Sequence, residues 1–182
     1  MKKNYFFLMK TFVVLSLFFA VACSSDNGDD IPRVGQPYQG GIVAYIDETG
    51  KHGLIAAPED QSPGIQWYNG SYIETGATAI AIGTGKSNTE KIIEEQSAGT
   101  YAAKLCDDLV LNGYSDWFLP SKDELNELYK NRAEIGGFSN TSFYWSSSED
   151  ESFSACVQNF ASGIQPSDDK SMGCRVRAVR AF

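Results

Sequence analysis

The amino-acid sequence predicts an α+β domain built from short strands and a few helices. Three observations lead to this fold class: an apolar hairpin pattern near residue 40, segments of helical periodicity in the middle of the chain, and a series of short β-rich runs towards its end. Strands and helices are grouped along the chain rather than alternating regularly. This order is typical of α+β architecture.

The first β segment is a hairpin. The apolar run GGIVAYI begins at Gly40, the second run HGLIAAPED begins at His52, and a polar turn that contains Gly50 separates them. Two β-rich runs on either side of a short glycine-containing turn predict two antiparallel strands. Residues 61–87 mix Gly, Ser, Thr and Pro with aromatic residues, which indicates a long ordered loop with at most one short strand.

Helical patterns follow the loop. Apolar residues recur at spacings of three and four from Asn88 to Glu95 and from Ser97 to Leu111. Further on, Ser121 and Glu124 have the spacing of a capping box, in which a serine caps the helix and a glutamate three residues later returns the hydrogen bond. We therefore predict a third helical segment from about Lys122 to Asn131.

The C-terminal part returns to β structure. Its last run alternates apolar residues with Arg175, Arg177 and Arg180, as expected for a half-buried strand. These arginines are expected to be solvated or salt-bridged. The predicted strands are Phe143 to Trp145, Phe153 to Phe160, Gly163 to Gln165 and Cys174 to Ala181.

Residues 1–22 are typical of a cleavable bacterial signal peptide, with early lysines and an uncharged run from Thr11 to Ala22. That run is shorter than the ~20 residues that a membrane-spanning helix needs. It ends in Ala20-Val21-Ala22-Cys23, which resembles a lipobox and predicts a lipid on Cys23. An ordinary secretory signal followed by a chance cysteine is the alternative.

The segment after Cys23 begins with a polar, acidic stretch, Ser24 to Asp30, that has no apolar residue to bury. We interpret residues 23–35 as a flexible tether and residues 36–182 as one folded domain. The membrane is then a partner through the lipid anchor. Because the acidic tether resembles surface-export signals of some lipoproteins, we expect a surface-exposed outer-membrane location.

The charge of the chain limits its partners. The formal net charge is −8 before the lysine-containing signal peptide is removed. Nucleic acids and anionic membrane surfaces repel such a chain, so neither is expected as a partner. The sequence does not indicate an oligomeric state.

Residues suited to catalysis are sparse. His52 is the single histidine, so neither a histidine relay nor a histidine-based metal cluster can form, and we expect it to be an exposed residue at the hairpin turn. The segment Gly83 to Ser87 resembles the end of a phosphate loop but has Ile80 where the pattern needs glycine. We expect no cofactor, no metal and no enzymatic activity. Calcium on Glu149, Asp150, Asp168 or Asp169 is an open alternative because hard oxygen ligands suit it.

Aromatic residues next to polar, loop-like segments are the best candidates for a binding surface. Core packing is the better expectation for Trp117 and Trp145, whereas Trp67 lies in the long loop. Binding residues commonly lie on loops over a rigid scaffold, and the stretch from Ser146 to Glu151 is interpreted as another such loop. The predicted ligand-binding residues are Trp67, Tyr68, Tyr72, Ser146, Ser147, Ser148 and Glu149.

Several motifs together resemble a known bacterial family. They include DWFLPSKDEL at Asp116, YWSSSE at Tyr144 and the ending RVRAVRAF. The chain is similar over about residues 36–182 to the domain family that contains the C-terminal domain of a collagen-like adhesin, with relatives called major paralogous domains. This resemblance implies a C-type lectin-like fold: two helices flanking a small, twisted antiparallel sheet whose terminal strands pair.

The resemblance also bears on function. Its adhesin member is implicated in binding sulfated polysaccharides, which implies a non-catalytic surface module or adhesin with a glycan or a host or matrix protein as ligand. The long loop that holds calcium and sugar in C-type lectins is missing, since only Asp150 to Ser154 separate the two relevant motifs. A structural or assembly role in the envelope or a pilus is the alternative, and an enzyme acting on polysaccharide is a third hypothesis.

Three cysteines remain after Cys23, an odd number, so one of them must stay free within the chain. Cys106 falls on the apolar face of a predicted helix, where a thiol packs as a small hydrophobic group. The C-type lectin-like resemblance implies that Cys156 and Cys174 form a disulfide, because their order matches the inner-strand and final-strand cysteines of that fold. Cys106 is then the unpaired one.

Overall fold

The structure is a computed structural model that describes residues 32–182. The predicted signal peptide, Cys23 and all but the last residues of the predicted tether lie outside this part. The four helices of the described part are α1 (Gly85–Gln96), α2 (Ala102–Asp107), α3 (Lys122–Lys130) and α4 (Arg132–Ile135). Its strands are β1 (Pro37–Tyr38), β2 (Gly41–Ile46), β3 (Gly53–Ala56), β4 (Ser62–Ile65), β5 (Phe143–Glu151), β6 (Ser154–Asn159), β7 (Ser167–Asp169), β8 (Cys174–Val176) and β9 (Val179–Ala181).

The strands form two sheets, with the orders β1-β2-β3-β9 and β4-β8-β5-β6-β7. The predicted α+β class is confirmed, and so is the hairpin, whose strands β2 and β3 pair antiparallel. The sheets are not wholly antiparallel, because β5 and β8 pair in parallel at Tyr144 and Arg175. The helices also number four in this part of the chain rather than the two implied by the resemblance.

The helical prediction was accurate for α3 and less so before it. Helix α1 begins three residues ahead of Asn88 and ends at Gln96, and Ser97, which follows it, has a positive φ of 63°. The Asn69 side-chain amide donates to the carbonyls of Gln96 and Ala98, at 3.0 and 2.6 Å, and so satisfies groups at this helix end. Within the segment of helical periodicity from Ser97 to Leu111, the structure forms only the shorter helix α2.

The capping box of α3 is confirmed. Ser121 Oγ accepts a hydrogen bond from the Glu124 backbone N–H, and Glu124 Oε2 accepts one from the Ser121 N–H at 2.7 Å. Glu124 Oε1 also accepts from the Gly83 N–H at 2.8 Å, so this carboxylate ties the loop before α1 to the start of α3. Burial raises the pKa of Glu124, while the backbone hydrogen bonds oppose that shift.

We expect Ser121→Ala to lower the free energy of unfolding by about 1–2 kcal/mol, the usual cost of losing an N-cap hydroxyl. The effect should lie near the upper end, because Ser121 Oγ also donates to the Ala81 carbonyl. Urea denaturation measures the change. Ser162→Ala, at an exposed turn position, is the control and should change the free energy by less than ~0.5 kcal/mol. An equal effect of the two substitutions would contradict the role of the cap.

Two apolar clusters form the core. The first places Ile92, Ala102 and Cys106 of α1 and α2 against Trp145 and Val157 of the second sheet. The second packs helices α3 and α4 against the first sheet and the Tyr144 face of β5. Trp117, Trp145 and Cys106 are buried as predicted. Strand β5 therefore separates the two clusters and contributes side chains to both.

The predicted final strand is divided between the two sheets. Strand β8 belongs to the second sheet and β9 to the first, and Arg177 lies between them fully buried. Its guanidinium is paired with Asp60, which also binds Arg175, and it donates to the Gly137 carbonyl. Arg180 is paired with Asp116. All three arginines are thus salt-bridged, one of the two states expected for them.

Two strand assignments from the sequence were wrong. The third C-terminal strand is β7, which begins two residues after the predicted Gly163 to Gln165 segment. The stretch Ser146 to Glu151, interpreted as a loop, continues β5, and register shifts between Trp145 and Glu149 and between Glu149 and Glu151 mark irregular pairing with β6. Glycine-poor polar sequences such as WSSSE resemble loops because the hydroxyls that they bury do not follow the apolar alternation of ordinary strands.

The predicted disulfide between Cys156 and Cys174 is wrong, since both cysteines are free in the structure. Strand β5 lies between β6 and β8, so their backbones are roughly 9–10 Å apart, beyond the ~7 Å that a disulfide spans. The two side chains also face opposite sides of the sheet. Cys174 packs in the first core cluster together with Ala155 and Val157, the neighbours that flank Cys156.

Candidate functional site

Trp67 is a core residue rather than part of a binding surface. Its side chain is 0% exposed, and its indole N–H donates to the Ser146 carbonyl at 2.8 Å. The prediction that Trp67 contacts a ligand is therefore wrong. The loop carrying it is folded inward because a buried indole finds both apolar surface and an acceptor there.

The serines of the YWSSSE motif are buried as well. Ser146, Ser147 and Ser148 are each 0% exposed. The Ser146 hydroxyl donates to the Cys156 carbonyl, and the Ser148 hydroxyl donates to the Ala79 carbonyl, both at 2.8 Å. Their assignment to the ligand surface is wrong, since the hydroxyls of Ser146 and Ser148 and the backbone N–H of Ser147, which donates to the Pro120 carbonyl, hold neighbouring segments against β5.

Glu149 likewise serves the interior. Its carboxylate accepts hydrogen bonds from the backbone N–H groups of Thr75 and Gly76 at 2.9 and 3.0 Å, and it pairs with Lys170 Nζ at 2.6 Å. The side chains of Glu149 and Lys170 are 2% and 0% exposed. A carboxylate so occupied cannot be a ligand contact, so this prediction is also wrong.

Lys170 connects the segments that surround this end of the second sheet. Besides Glu149, its ammonium donates to the carbonyls of Ile73 and Ser152 at 3.0 and 2.7 Å and lies 4.7 Å from the centre of the Trp67 ring. Its backbone adds two hydrogen bonds, from the Trp67 N–H and to the Phe153 carbonyl, each of 2.9 Å. The sequence missed this residue because Asp168-Asp169-Lys170 has the composition of a solvated turn.

The surface directly outside this buried ion pair is aromatic. Tyr72 is 49% exposed and stacks on Tyr68 with ring centres 4.9 Å apart. Its hydroxyl donates to Asp169 Oδ1 at 2.8 Å. Of the predicted ligand-binding residues, Tyr68 and Tyr72 are the two that the structure brings together at the surface.

Two more exposed apolar residues lie on the turns beside them. Phe153 is 54% exposed and Met172 is 50% exposed. The Phe153 carbonyl accepts from the Lys170 N–H, and the Met172 N–H donates to the Asp169 carbonyl. We call the set Tyr68, Tyr72, Phe153, Asp169 and Met172 the aromatic rim. The rim holds three of the seven large hydrophobic residues that are exposed in the described part of the chain.

Asp169 gives the aromatic rim a negative charge. Hydrogen bonds from the Ser171 hydroxyl and backbone N–H, followed by the one from Tyr72, hold the pKa of Asp169 below its usual range. The carboxylate is therefore ionised at neutral pH. An ionised carboxylate offers about four acceptor positions, so these contacts leave it able to accept hydrogen bonds from a ligand. Beyond its acidity, nothing in the local sequence marked Asp169 as a residue of the binding surface.

The structure does not gather metal ligands around the acidic residues considered for calcium. Within residues 32–182, no group of three or more His, Cys, Asp or Glu side chains is arranged to hold a metal ion. His52 is exposed beside the hairpin turn, as predicted. None of the helices in the described range is both long and apolar enough to cross a membrane.

Fold and site define a small α+β domain with the buried ion pair of Glu149 and Lys170 in its interior and the aromatic rim on the surface outside that pair. The chain belongs to the Lcl C-terminal domain family, whose sequence model matches residues 57–180, more than half of the chain. The family suggested by the DWFLPSKDEL and YWSSSE motifs is thereby confirmed.

A solved structure of a fimbrial protein from Bacteroides ovatus ATCC 8483 is similar in fold, with a TM-score of 0.53 and 12% sequence identity. The similar region covers 84% of this chain and 45% of the fimbrial protein, so this chain corresponds to less than half of that molecule. At this identity the likeness concerns the fold alone. No curated protein matches the sequence.

Proposed function

We propose that this chain is a surface-anchored lipoprotein whose domain is a non-catalytic binding module of the adhesin type, with a glycan or a host or matrix protein as its ligand. The observation that carries the proposal is the aromatic rim, where stacked tyrosines and an ionised carboxylate are exposed over a rigid base. Membership in the Lcl C-terminal domain family supports it. The proposed ligand-binding residues retain the predicted Tyr68 and Tyr72. The buried residues of the prediction are replaced by Asp169, Phe153 and Met172.

The absence of catalysis is part of the proposal. The two most deeply buried carboxylates with hydrogen-bonding roles, Glu124 and Glu149, are occupied by backbone N–H groups and, for Glu149, by Lys170. A general acid or base must reach a proton on its substrate. These two groups face the interior and support the fold instead.

We also propose a C-type lectin-like relationship for the domain. The last strand, β9, pairs with β3 of the N-terminal hairpin, with Leu54 opposite Ala181, so strands from the two ends of the described part share one sheet, which supports this relationship. The division of the strands into two sheets and the parallel contact between β5 and β8 extend beyond the simple arrangement implied by the sequence.

A structural or assembly role in a pilus or the cell envelope is the second candidate function. The fold likeness to a fimbrial protein favours it. Cells that make the full chain are compared with cells that lack it for adhesion to immobilised glycans and matrix proteins, and for the presence of surface filaments. If cells that lack the chain adhere less but still form filaments, the result supports the binding module. If they lose the filaments and adhere as before, the result supports the assembly role.

The lipid anchor is tested separately. We expect Cys23→Ser to abolish lipid attachment, so that the protein is unprocessed or appears in the soluble fraction. Fractionation and mass measurement of the mature protein check this outcome, and Cys106→Ser is the matched control because Cys106 is buried in the domain. Protease treatment of intact cells tests surface exposure independently. Unchanged membrane fractionation of the Cys23→Ser protein would refute the anchor.

A further inference from the structure

We infer that the aromatic rim selects uncharged glycans and rejects sulfated or uronate-containing ones. This inference rests on the proposed binding function and deepens it by naming the ligand class. It follows from three features of the rim: one open aromatic face, a carboxylate beside it, and a neighbouring lysine that points into the protein.

The open face belongs to Tyr72. One side of its ring is stacked on Tyr68, and about half of the side chain remains exposed. An aromatic face carries partial negative charge, so it attracts the polarised C–H groups on one face of a sugar ring. The stack and the hydrogen bond to Asp169 fix the orientation of this ring before a ligand arrives. Such preorganisation lowers the entropy lost on binding.

The carboxylate of Asp169 supplies the polar contact. It lies 2.8 Å from the Tyr72 hydroxyl and is therefore at the edge of the stacking surface. Sugar hydroxyls are donors, and a hydrogen bond from a donor to an ionised acceptor is about twice as strong as a neutral one. A pyranose lying on Tyr72 can direct hydroxyl groups at Asp169, whereas a sulfate or carboxylate at the same position meets a like charge.

No compensating cation of the rim is available to an anionic ligand. Lys170 directly follows Asp169 in the chain, but its side chain is 0% exposed and its charge is paired with Glu149. Recognition of sulfate or carboxylate groups uses accessible arginine or lysine donors. The net charge of the chain, −8 before processing, adds long-range repulsion of polyanions.

The test compares matched neutral and sulfated ligands. The mature protein is titrated with dextran and dextran sulfate, and with N-acetyllactosamine, mannan and β-glucan oligosaccharides alongside their sulfated counterparts, at low and physiological salt. We expect at least one neutral glycan to bind at least tenfold more tightly than its sulfated form. Asp169→Asn keeps the shape of the side chain. It should weaken the affinity for the neutral glycan about tenfold and reduce the ratio of neutral to sulfated affinity at least threefold.

Three further variants complete the design. Tyr72→Ala should abolish neutral binding, because it removes the stacking face. Glu48→Gln removes the same charge as Asp169→Asn at an exposed turn in the other sheet, and it should change neither affinity nor preference. Thermal unfolding of every variant identifies any loss of folded protein, and Tyr72→Phe, which keeps the ring, should retain most of the binding if Tyr72→Ala is unstable.

The outcomes separate this inference from the proposed function. If sulfated glycans bind as tightly as neutral ones or more tightly, the inferred selectivity is wrong but the proposed binding function is not. Binding of matrix proteins without any glycan has the same meaning. An unchanged preference in Asp169→Asn also overturns the inference. Failure to bind any glycan or matrix protein overturns both.

Discussion

Replacing Lys170 by methionine is expected to lower the free energy of unfolding by about 3–5 kcal/mol, the usual cost of removing one partner from a buried ion pair. Methionine fills a similar volume but leaves Glu149 charged, buried and without its cation. The carbonyls of Ile73 and Ser152 lose their donor in the same step. Denaturation in urea, followed by tryptophan fluorescence, measures the difference.

A surface ion pair provides the matched control for this change. Lys130 pairs with Glu127 at 2.6 Å on α3, but 55% of the lysine side chain is exposed. Solvent and salt screen such a pair, so Lys130→Met should cost at most about 1 kcal/mol. The double variant Lys170→Met/Glu149→Gln should recover part of the loss, because it removes the stranded charge as well. A cost for Lys170→Met as small as that of the control would show that the buried pair does not stabilise the fold.

Replacing Trp67 by alanine is expected to cost about 3–5 kcal/mol, the scale for deleting a buried aromatic side chain. The indole packs in the first core cluster, donates to the Ser146 carbonyl and lies beneath the Lys170 ammonium. The substitution removes all of these contacts at once and leaves a cavity. The same urea experiment measures the cost.

Tyr72→Ala is the counterpart of that substitution. Its side chain is about half exposed, so we expect a loss of stability below ~1 kcal/mol together with a loss of ligand binding. The two aromatic residues therefore separate stability from binding: Trp67 affects the first, and Tyr72 the second. A large stability loss in Tyr72→Ala, or a mild one in Trp67→Ala, would reverse this assignment.

Local sequence patterns were sufficient for those parts of the fold that depend on neighbouring residues. The hairpin, the capping box at Ser121 and Glu124, and the buried position of Cys106 follow from turn chemistry, cap spacing and apolar periodicity. The motifs DWFLPSKDEL and YWSSSE were also sufficient to identify the family. These features need no knowledge of distant contacts.

The rest of the structure depends on partners far apart in the chain. Lys170 meets the Ile73 carbonyl 97 residues away, and Arg177 meets Asp60 at a separation of 117 residues. Nothing in the local composition distinguishes these buried cations from solvated ones. The same limit explains the errors at Trp67 and at Ser146 to Glu149, whose polar neighbours suggested a surface although their hydrogen-bond partners lie in other segments. The disulfide prediction was wrong for a related reason: the order of the cysteines along the chain does not reveal that strand β5 lies between the strands that carry them.

The free thiols of the domain are natural reporters of its unfolding. Burial raises the pKa of Cys106, Cys156 and Cys174, to about 12 for Cys174. Because the thiolate is the reactive form, we expect alkylating reagents to modify these residues slowly in the folded domain and faster when the structure opens. The three cysteines lie on different elements, α2, β6 and β8, so their separate labelling rates measure the local opening of each element without any engineered probe.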